Sequence, residues 1–145
     1  MIREGKINDA ENLIDLFIEG YNFHQTNRPD KFKVRSKDEL MNTLKETFDS
    51  EKYFLFIKEE KILSYISFKY NQKVKKSVWV DELVVDKNSR KQGIGTQLIE
   101  KVKEQAKKEN CYNIEFCCWS FNYNAMNFYK NLNYKEQRVI FEQEL

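Results

Sequence analysis

The sequence predicts a mixed α+β fold whose sheet is largely antiparallel with some parallel pairing. Three observations carry this. First, 145 residues, 41% apolar and 14% aromatic, make one domain, residues 1–145, long enough for a proper core and too aromatic for disorder. Second, apolar spacing switches between the helical period of 3.6 and the strand period of 2 several times along the chain. Third, one proline and four glycines are the only strong breakers, so elements follow one another closely, with no linker or repeat.

Ile2–Ile7 reads as a short strand. Asn8 with Glu11 forms a capping box, Ala10, Leu13, Ile14 and Phe17 recur at helical spacing, and Gly20 is expected to end the helix. Residues 21–35 read as a polar and aromatic loop. Ser36 with Glu39 opens a second helix, marked by Leu40, Leu44 and Phe48 on one face. Tyr53–Ile57 and Ile62–Tyr70 are strands whose short connection, Lys58–Lys61, makes a hairpin. After a polar turn, Ser77–Asp86 is a third strong strand. A glycine-bearing loop leads into a helix over 94–109, with Ile94, Leu98, Val102 and Ala106 stacked at four-residue spacing. Cys111–Trp119 is expected as a strand and Asn122–Leu132 as a short helix with Asn133 as a left-handed cap. Tyr134–Glu144 closes with one or two strands.

With 25 basic and 23 acidic side chains the net charge is +2. The interspersed signs argue against nucleic-acid binding, which favours a basic stripe. No apolar run reaches a membrane span and the N-terminus lacks a signal-peptide core, so the chain is expected to be cytoplasmic. Cys111, Cys117 and Cys118 read as buried strand thiols; the two neighbours point to opposite faces and cannot easily pair. With His24 the only histidine, no metal site is expected.

Chemistry concentrates at Val85-Asp86-Lys87-Asn88-Ser89-Arg90-Lys91-Gln92-Gly93-Ile94-Gly95-Thr96. A buried strand ends, a basic loop turns, and a helix starts at two glycines. Free N–H groups and the positive end of a helix dipole cradle a phosphate or pyrophosphate, and Gly93 and Gly95 let backbone approach it. The Walker pattern is absent, and a dinucleotide fingerprint would need glycine where Leu98 stands. A helix start that uses its glycines only for packing is the bland alternative.

Arg90-x-x-Gly93-x-Gly95 after this strand resembles the acyl-CoA signature of the GNAT acyltransferase superfamily. Asn122-x-x-Ala125-x-x-Phe128-Tyr129-x-x-x-Asn133-Tyr134 is similar to that family's second segment, with asparagine in place of its usual glycine. The resemblance covers nearly the whole chain. It implies a three-layer α/β/α domain with two central strands splayed apart, and acetyl-CoA as co-substrate. The pyrophosphate would lie on Gln92, Gly93, Ile94, Gly95 and Thr96 with Arg90 and Lys91 adding charge. The pantetheine arm would run along Leu83, Val84 and Val85, and Asn122 would contact the cofactor. Tyr129 would aim its hydroxyl at the departing sulfur. The acceptor is expected to be a small-molecule or peptide amine, and a homodimer is possible.

Where some relatives carry a base on the strand before the Asn122 segment, this chain has Cys117, so the base stays open. Asp81 and Glu82 stand on the strand leading to the cofactor edge, where strand alternation is expected to send only one of them into the cleft. His24 is the other candidate. Tyr21, Phe23 and Phe32 in its loop would wall the acceptor pocket. Nothing in the sequence activates Cys117 or Cys118 for a covalent route. The rival classes are a catalytically silent acyl-CoA-binding module and a nucleotide-binding domain.

Overall fold

The computed structural model describes residues 1–145. Strand β1 (Ile2–Glu4) leads through a single 3-10 turn into helix α1 (Ala10–Asn27). Helix α2 (Lys37–Ser50) follows, then strands β2 (Lys52–Lys58), β3 (Lys61–Gln72) and β4 (Lys76–Val85). Helix α3 (Ile94–Lys108), strand β5 (Ile114–Glu115) and helix α4 (Tyr123–Asn131) complete the order. The strands run β1-β2-β3-β4-β5 across one sheet, antiparallel except for the β4–β5 pair. This is the mixed, mostly antiparallel architecture expected from the sequence.

The alternation of each strand divides its side chains between two layers. Tyr53, Leu55 and Tyr65 pack against Leu13, Ile14 and Phe17 of α1 and Leu40 and Leu44 of α2. Phe54, Ile66, Phe68, Val78 and Val80 pack against Leu98, Ile99, Val102 and Ala106 of α3. Ser36 Oγ accepts from Glu39 N at 3.2 Å, the expected cap of α2. The β2–β3 hairpin closes through Glu59 and Glu60, both at positive φ (50° and 64°), as a tight turn matching strand twist demands.

Several expectations are corrected. Gly20 does not end α1, which continues to Asn27. Its missing side chain instead admits β4, since a Cβ there would lie 3.2 Å from Val84 Cγ2. The N-terminal capping interaction uses Lys6 N–H and Asp9 Oδ2 at 2.8 Å, two residues before the Asn8–Glu11 pair. Only Ile114–Glu115 of the expected 111–119 strand is paired, and 134–145 carries no strand. Cys117 and Cys118 are exposed rather than buried. Asn133 does adopt the left-handed conformation, at φ 65°.

The most consequential irregularity lies in β4. Ser67 pairs with Glu82 but Phe68 pairs with Val80, so Asp81 is an extra residue, a β-bulge. The pleat therefore slips by one. Val80 and Leu83 both pack toward α3, while Val84 packs toward α1. Asp81 and Glu82, expected on opposite faces, share the α1/α2 face.

Candidate acyl-CoA and acceptor site

Strand β4 pairs with β5 only at Val78↔Ile114 and Trp79↔Glu115. Beyond Trp79, β4 keeps β3 on one edge and has no strand on the other. Leu83, Val84 and Val85 lie on this splayed stretch. Alternate residues of a strand aim their backbone groups at opposite edges, so part of this stretch offers unpaired N–H and C=O groups to an extended ligand.

The free edge runs straight into the start of α3. Asp86 Oδ2 accepts from Asn88 N (3.1 Å) and Ser89 Oγ (3.2 Å), tightening the turn. Gly93 is the N-cap in the left-handed conformation, φ 76°, and no side chain caps the helix. The first N–H groups of α3 therefore lack an intrahelical partner. A Cβ at Gly93 would meet nothing within 4 Å, so the space in front of these donors is open. Lys91 and Gln92 are exposed beside it, and Ile94 is buried beneath. These donors, the open approach and the free strand edge fit a pyrophosphate carrying a pantetheine arm.

Two loop residues have other duties. Gly95 is buried, and a Cβ on it would lie 3.3 Å from Phe128 Cζ and 3.6 Å from Leu83 Cδ2. Its smallness lets α3 seat against α4 and β4. Arg90 pairs with Glu19 of α1 at 2.9 Å and donates from Nε to Val85 O at 3.1 Å, which ties the loop to α1.

Helix α4 closes the other side. Asn122 Oδ1 accepts from Ala125 N at 3.2 Å and caps the helix. The Tyr129 ring packs among Phe116 (3.9 Å between centroids), Phe128 (5.2 Å) and Tyr134 (6.0 Å). Burial, and then the Cys118 thiol, hold its hydroxyl well above the ordinary tyrosine range. That hydroxyl stays protonated at neutral pH.

The structure brings His24, Phe23 and Phe32 into one aromatic cluster that sequence reasoning only partly found. Phe23 and His24 meet Phe121 at 5.6 and 6.0 Å, and Phe32 meets Trp119 at 5.9 Å. Tyr21 joins through Phe32 at 5.9 Å and anchors the loop by donating from its hydroxyl to Lys33 O at 2.8 Å. Arg28 stacks over Trp119 at 4.7 Å and pairs with Glu142 at 2.7 Å. His24 Nδ1 lies 2.8 Å from Gly20 O; a carbonyl only accepts, so Nδ1 carries the proton.

On the bulged face, Tyr65 donates to Glu82 Oε2 at 2.7 Å. Burial pushes Glu82 up to about 7, with the Tyr65 hydrogen bond opposing and Asp81 adding to the rise. Trp79 Nε1 donates to Asp81 Oδ1 at 3.0 Å, and Lys69 stands 3.4 Å from its Oδ2. Glu51, just past α2, also faces this group. Burial first, then Asp81, push it up to about 7. Glu51, Trp119 and Phe121 went unnoticed in the sequence. The Trp-x-Phe pair just before Asn122 was a readable signal; an isolated glutamate after a helix was not.

An uncapped, glycine-bearing helix start thus stands at the end of a splayed strand, with Tyr129 on the neighbouring helix α4, the arrangement an acyl-CoA-dependent transferase would need. The comparisons show the family. The acetyltransferase (GNAT) family model matches residues 17–134, and the chain belongs to this family. An uncharacterised N-acetyltransferase of Methanocaldococcus jannaschii is 39% identical over 61 residues, a stretch that is 42% of this chain and 27% of that protein. The match thus spans about a quarter of that relative's length. Among solved structures, a tetramutant of the BH1408 protein of Bacillus halodurans superposes with a TM-score of 0.86 at 24% identity, covering 100% of this chain and 99% of that one. A possible acetyltransferase from Clostridium difficile 630 gives a TM-score of 0.77 at 24% identity, covering 100% and 97%. These two likenesses bear on the fold. No helix is long and apolar enough to cross a membrane.

Proposed function

We propose that this chain transfers the acetyl group of acetyl-CoA to a primary amine by direct attack in a ternary complex. The observation that carries this reading is the continuity of the free β4 edge with the uncapped start of α3. Such an edge suits an amide-bearing pantetheine arm, and such a helix start suits a pyrophosphate. On this reading Leu83, Val84 and Val85 hold the arm and Gln92–Thr96 hold the phosphates, with Lys91 adding charge. Asn122 Nδ2 is left to reach the arm.

The amine must lose a proton to attack. Glu82 is the base: a carboxyl near pH 7 is matched to that task, and its Tyr65 partner orients it. The lone pair of nitrogen then adds to the thioester carbonyl, the C–S bond breaks, Tyr129 hands its hydroxyl proton to the leaving sulfur, and the surplus proton on the new amide nitrogen is lost through water, which restores the Tyr129 hydroxyl. Asp81, held by Trp79 and Lys69, supplies negative potential for an incoming ammonium. His24, on α1 with its Nδ1 held by Gly20 O and its ring among Phe23, Phe32 and Phe121, belongs to the aromatic wall. The aromatic cluster of Phe23, His24, Phe32, Trp119 and Phe121 walls the acceptor entrance, with Tyr21 bracing its loop. The Cys118 thiol, though exposed on the surface, is raised by partial desolvation and then by the neighbouring Cys117 thiol, which disfavours the thiolate that an acyl-cysteine route needs.

Free CoA release with acetyl-CoA and a panel of amines tests this. Amine-dependent release supports it. Acetyl-CoA binding with no release for any amine points to a binding module instead.

A further inference from the structure

Two stretches of this chain leave their backbones unpaired. Strand β5 meets β4 on one edge only, at Val78↔Ile114 and Trp79↔Glu115, and no strand lies on its other edge. From Phe116 to Phe121 the backbone makes only two local bonds, Asn122 N to Trp119 O and Tyr123 N to Phe121 O. Residues 135–145 make no backbone–backbone hydrogen bond at all. Their centre is Val139-Ile140-Phe141, three strong strand formers exposed at 61, 86 and 90%. An open sheet edge and a bare apolar strand each invite pairing with another chain.

The tail does not occupy the β5 edge of its own chain. Tyr134 packs on Phe116 at 4.9 Å between centroids, and Glu142 binds Arg28 at 2.7 Å, whose guanidinium lies 4.7 Å over Trp119. Residues 134–142 thus run alongside 116–119 in the same sense. Neighbouring strands of a sheet lie about 4.8 Å apart and share hydrogen bonds. These two share none, and Cys117 and Cys118 are exposed between them and solvent. A copy turned by a two-fold axis presents its tail in the opposite sense, antiparallel both to 116–119 and to the first copy's tail. The tail is complementary to itself in that direction. Lys135 and Arg138 precede the apolar centre, and Glu142 and Glu144 follow it. Antiparallel pairing centred on Ile140 sets Arg138 of each copy opposite Glu142 of the other, and Val139 opposite Phe141. Glu136, opposite Glu144, is the exception, and Lys130 stands 3.6 Å from it. Three consecutive apolar residues load both faces of the strand, which suits the interior of a sheet and not a free tail.

We propose that two copies of this chain exchange strands: residues 135–142 of each enter the other's sheet beside Phe116–Trp119, and the two tails pair with each other about Ile140, so that one sheet runs through the dimer. Each tail then has a neighbour on both edges, and each β5 edge is covered, the isologous closure of a two-fold pair. The exchange also seats a strand of the second copy beside Trp119, on the rim of the aromatic cluster formed with Phe32 and Phe121.

The test is sedimentation of the whole chain, with hydrogen exchange read on the same samples. The native chain is expected to be a dimer at about 50 µM, with the amides of 135–142 protected. Arg138→Glu and Glu142→Arg should each weaken the dimer by at least ~10-fold, because two like-charge contacts replace two opposite-charge pairs. Refolded together in equal amounts, the two variants should dimerise again, since each supplies the charge the other has lost. Ile140→Pro should leave a monomer. A monomeric native chain overturns the proposal, and protected 135–142 amides in that monomer would show the tail folding back on its own β5. A dimer whose 135–142 amides exchange freely also overturns it, as does a mixture of folded single variants that stays monomeric. If the variants fail to fold, the native chain still decides: protection of 135–142 must track the dimer fraction on dilution, and protection that ignores it refutes the exchange.

Discussion

Glu82→Gln should make the protein more stable at alkaline pH and leave it nearly unchanged at acid pH. Burial holds the Glu82 carboxyl at about 7 against an ordinary 4.5. A carboxyl whose folded pKa lies above its unfolded one opposes folding once ionised. Below about pH 4.5 it is protonated in both states and costs nothing. Between 4.5 and 7 the folded state holds a proton that the unfolded state has lost, so stability falls as pH rises, and above 7 the loss is complete. At about 1.4 kcal/mol per pH decade that interval is worth roughly 3 kcal/mol, which residual solvent access trims to about 2. Glutamine keeps an oxygen to accept from Tyr65, so the substitution removes the charge with little loss of packing. Thermal melts of wild type and variant from pH 4.5 to 8.5 measure this, and a gap of roughly 5 °C is expected to open with rising pH. A pH-independent gap, or a variant less stable at pH 8.5, refutes the placement of a neutral carboxyl against Tyr65, Asp81 and Glu51.

Two further substitutions probe the proposed reaction. Acetyl-CoA should raise the melting temperature of the wild type by mass action. Gly93→Asp should abolish that shift by putting bulk and charge into the open space before the α3 donors. Gly93→Ala, which shares the backbone strain of about 1 kcal/mol but not the charge, should keep most of it; loss in both would trace the effect to strain alone. Tyr129→Phe should keep acetyl-CoA affinity within a few-fold and lower kcat by ~10²-fold, the scale of losing one general acid. Because its hydroxyl is held far above the ordinary range, no alkaline limb from Tyr129 should enter the pH–rate profile below about pH 10. An unimpaired Tyr129→Phe enzyme would return the side chain to a packing role among Phe116, Phe128 and Tyr134.

Much of the scaffold was legible because it depends on local patterns. The four-residue stacking of Ile94, Leu98, Val102 and Ala106 could bury only one way, and all four are buried. The hairpin at 58–61 followed from length and alternation. What stayed hidden depended on partners far along the chain. Gly20 reads as a helix stop until Val84 is seen packing onto it. Gly95 looks like a ligand-approach glycine until Phe128 and Leu83 occupy the place of its side chain. A bulge at Asp81 leaves no mark in β4 itself, since it arises from the register with Ser67 and Phe68. The rule that neighbours alternate therefore misplaced one carboxylate and concealed a polar face. Glu51 belongs to that face because it directly precedes β2, whose first residue Lys52 pairs with Phe68 beside the bulge, a tertiary fact. The C-terminal stretch 134–145 alternates apolar and polar residues weakly, and no neighbouring edge fixes it as a strand.

Steady-state CoA release by the wild type tests acetyl transfer most directly. Acetyl-CoA is held saturating while 1-aminobutane, 1,4-diaminobutane and longer polyamines are varied, and the acetylated product is confirmed by mass. Release should depend on amine, rise through pH 7 as Glu82 ionises, and collapse in Tyr129→Phe. Amine-independent release, or none with any amine despite a clear acetyl-CoA melting shift, would contradict transfer and leave a chain that binds acyl-CoA without using it.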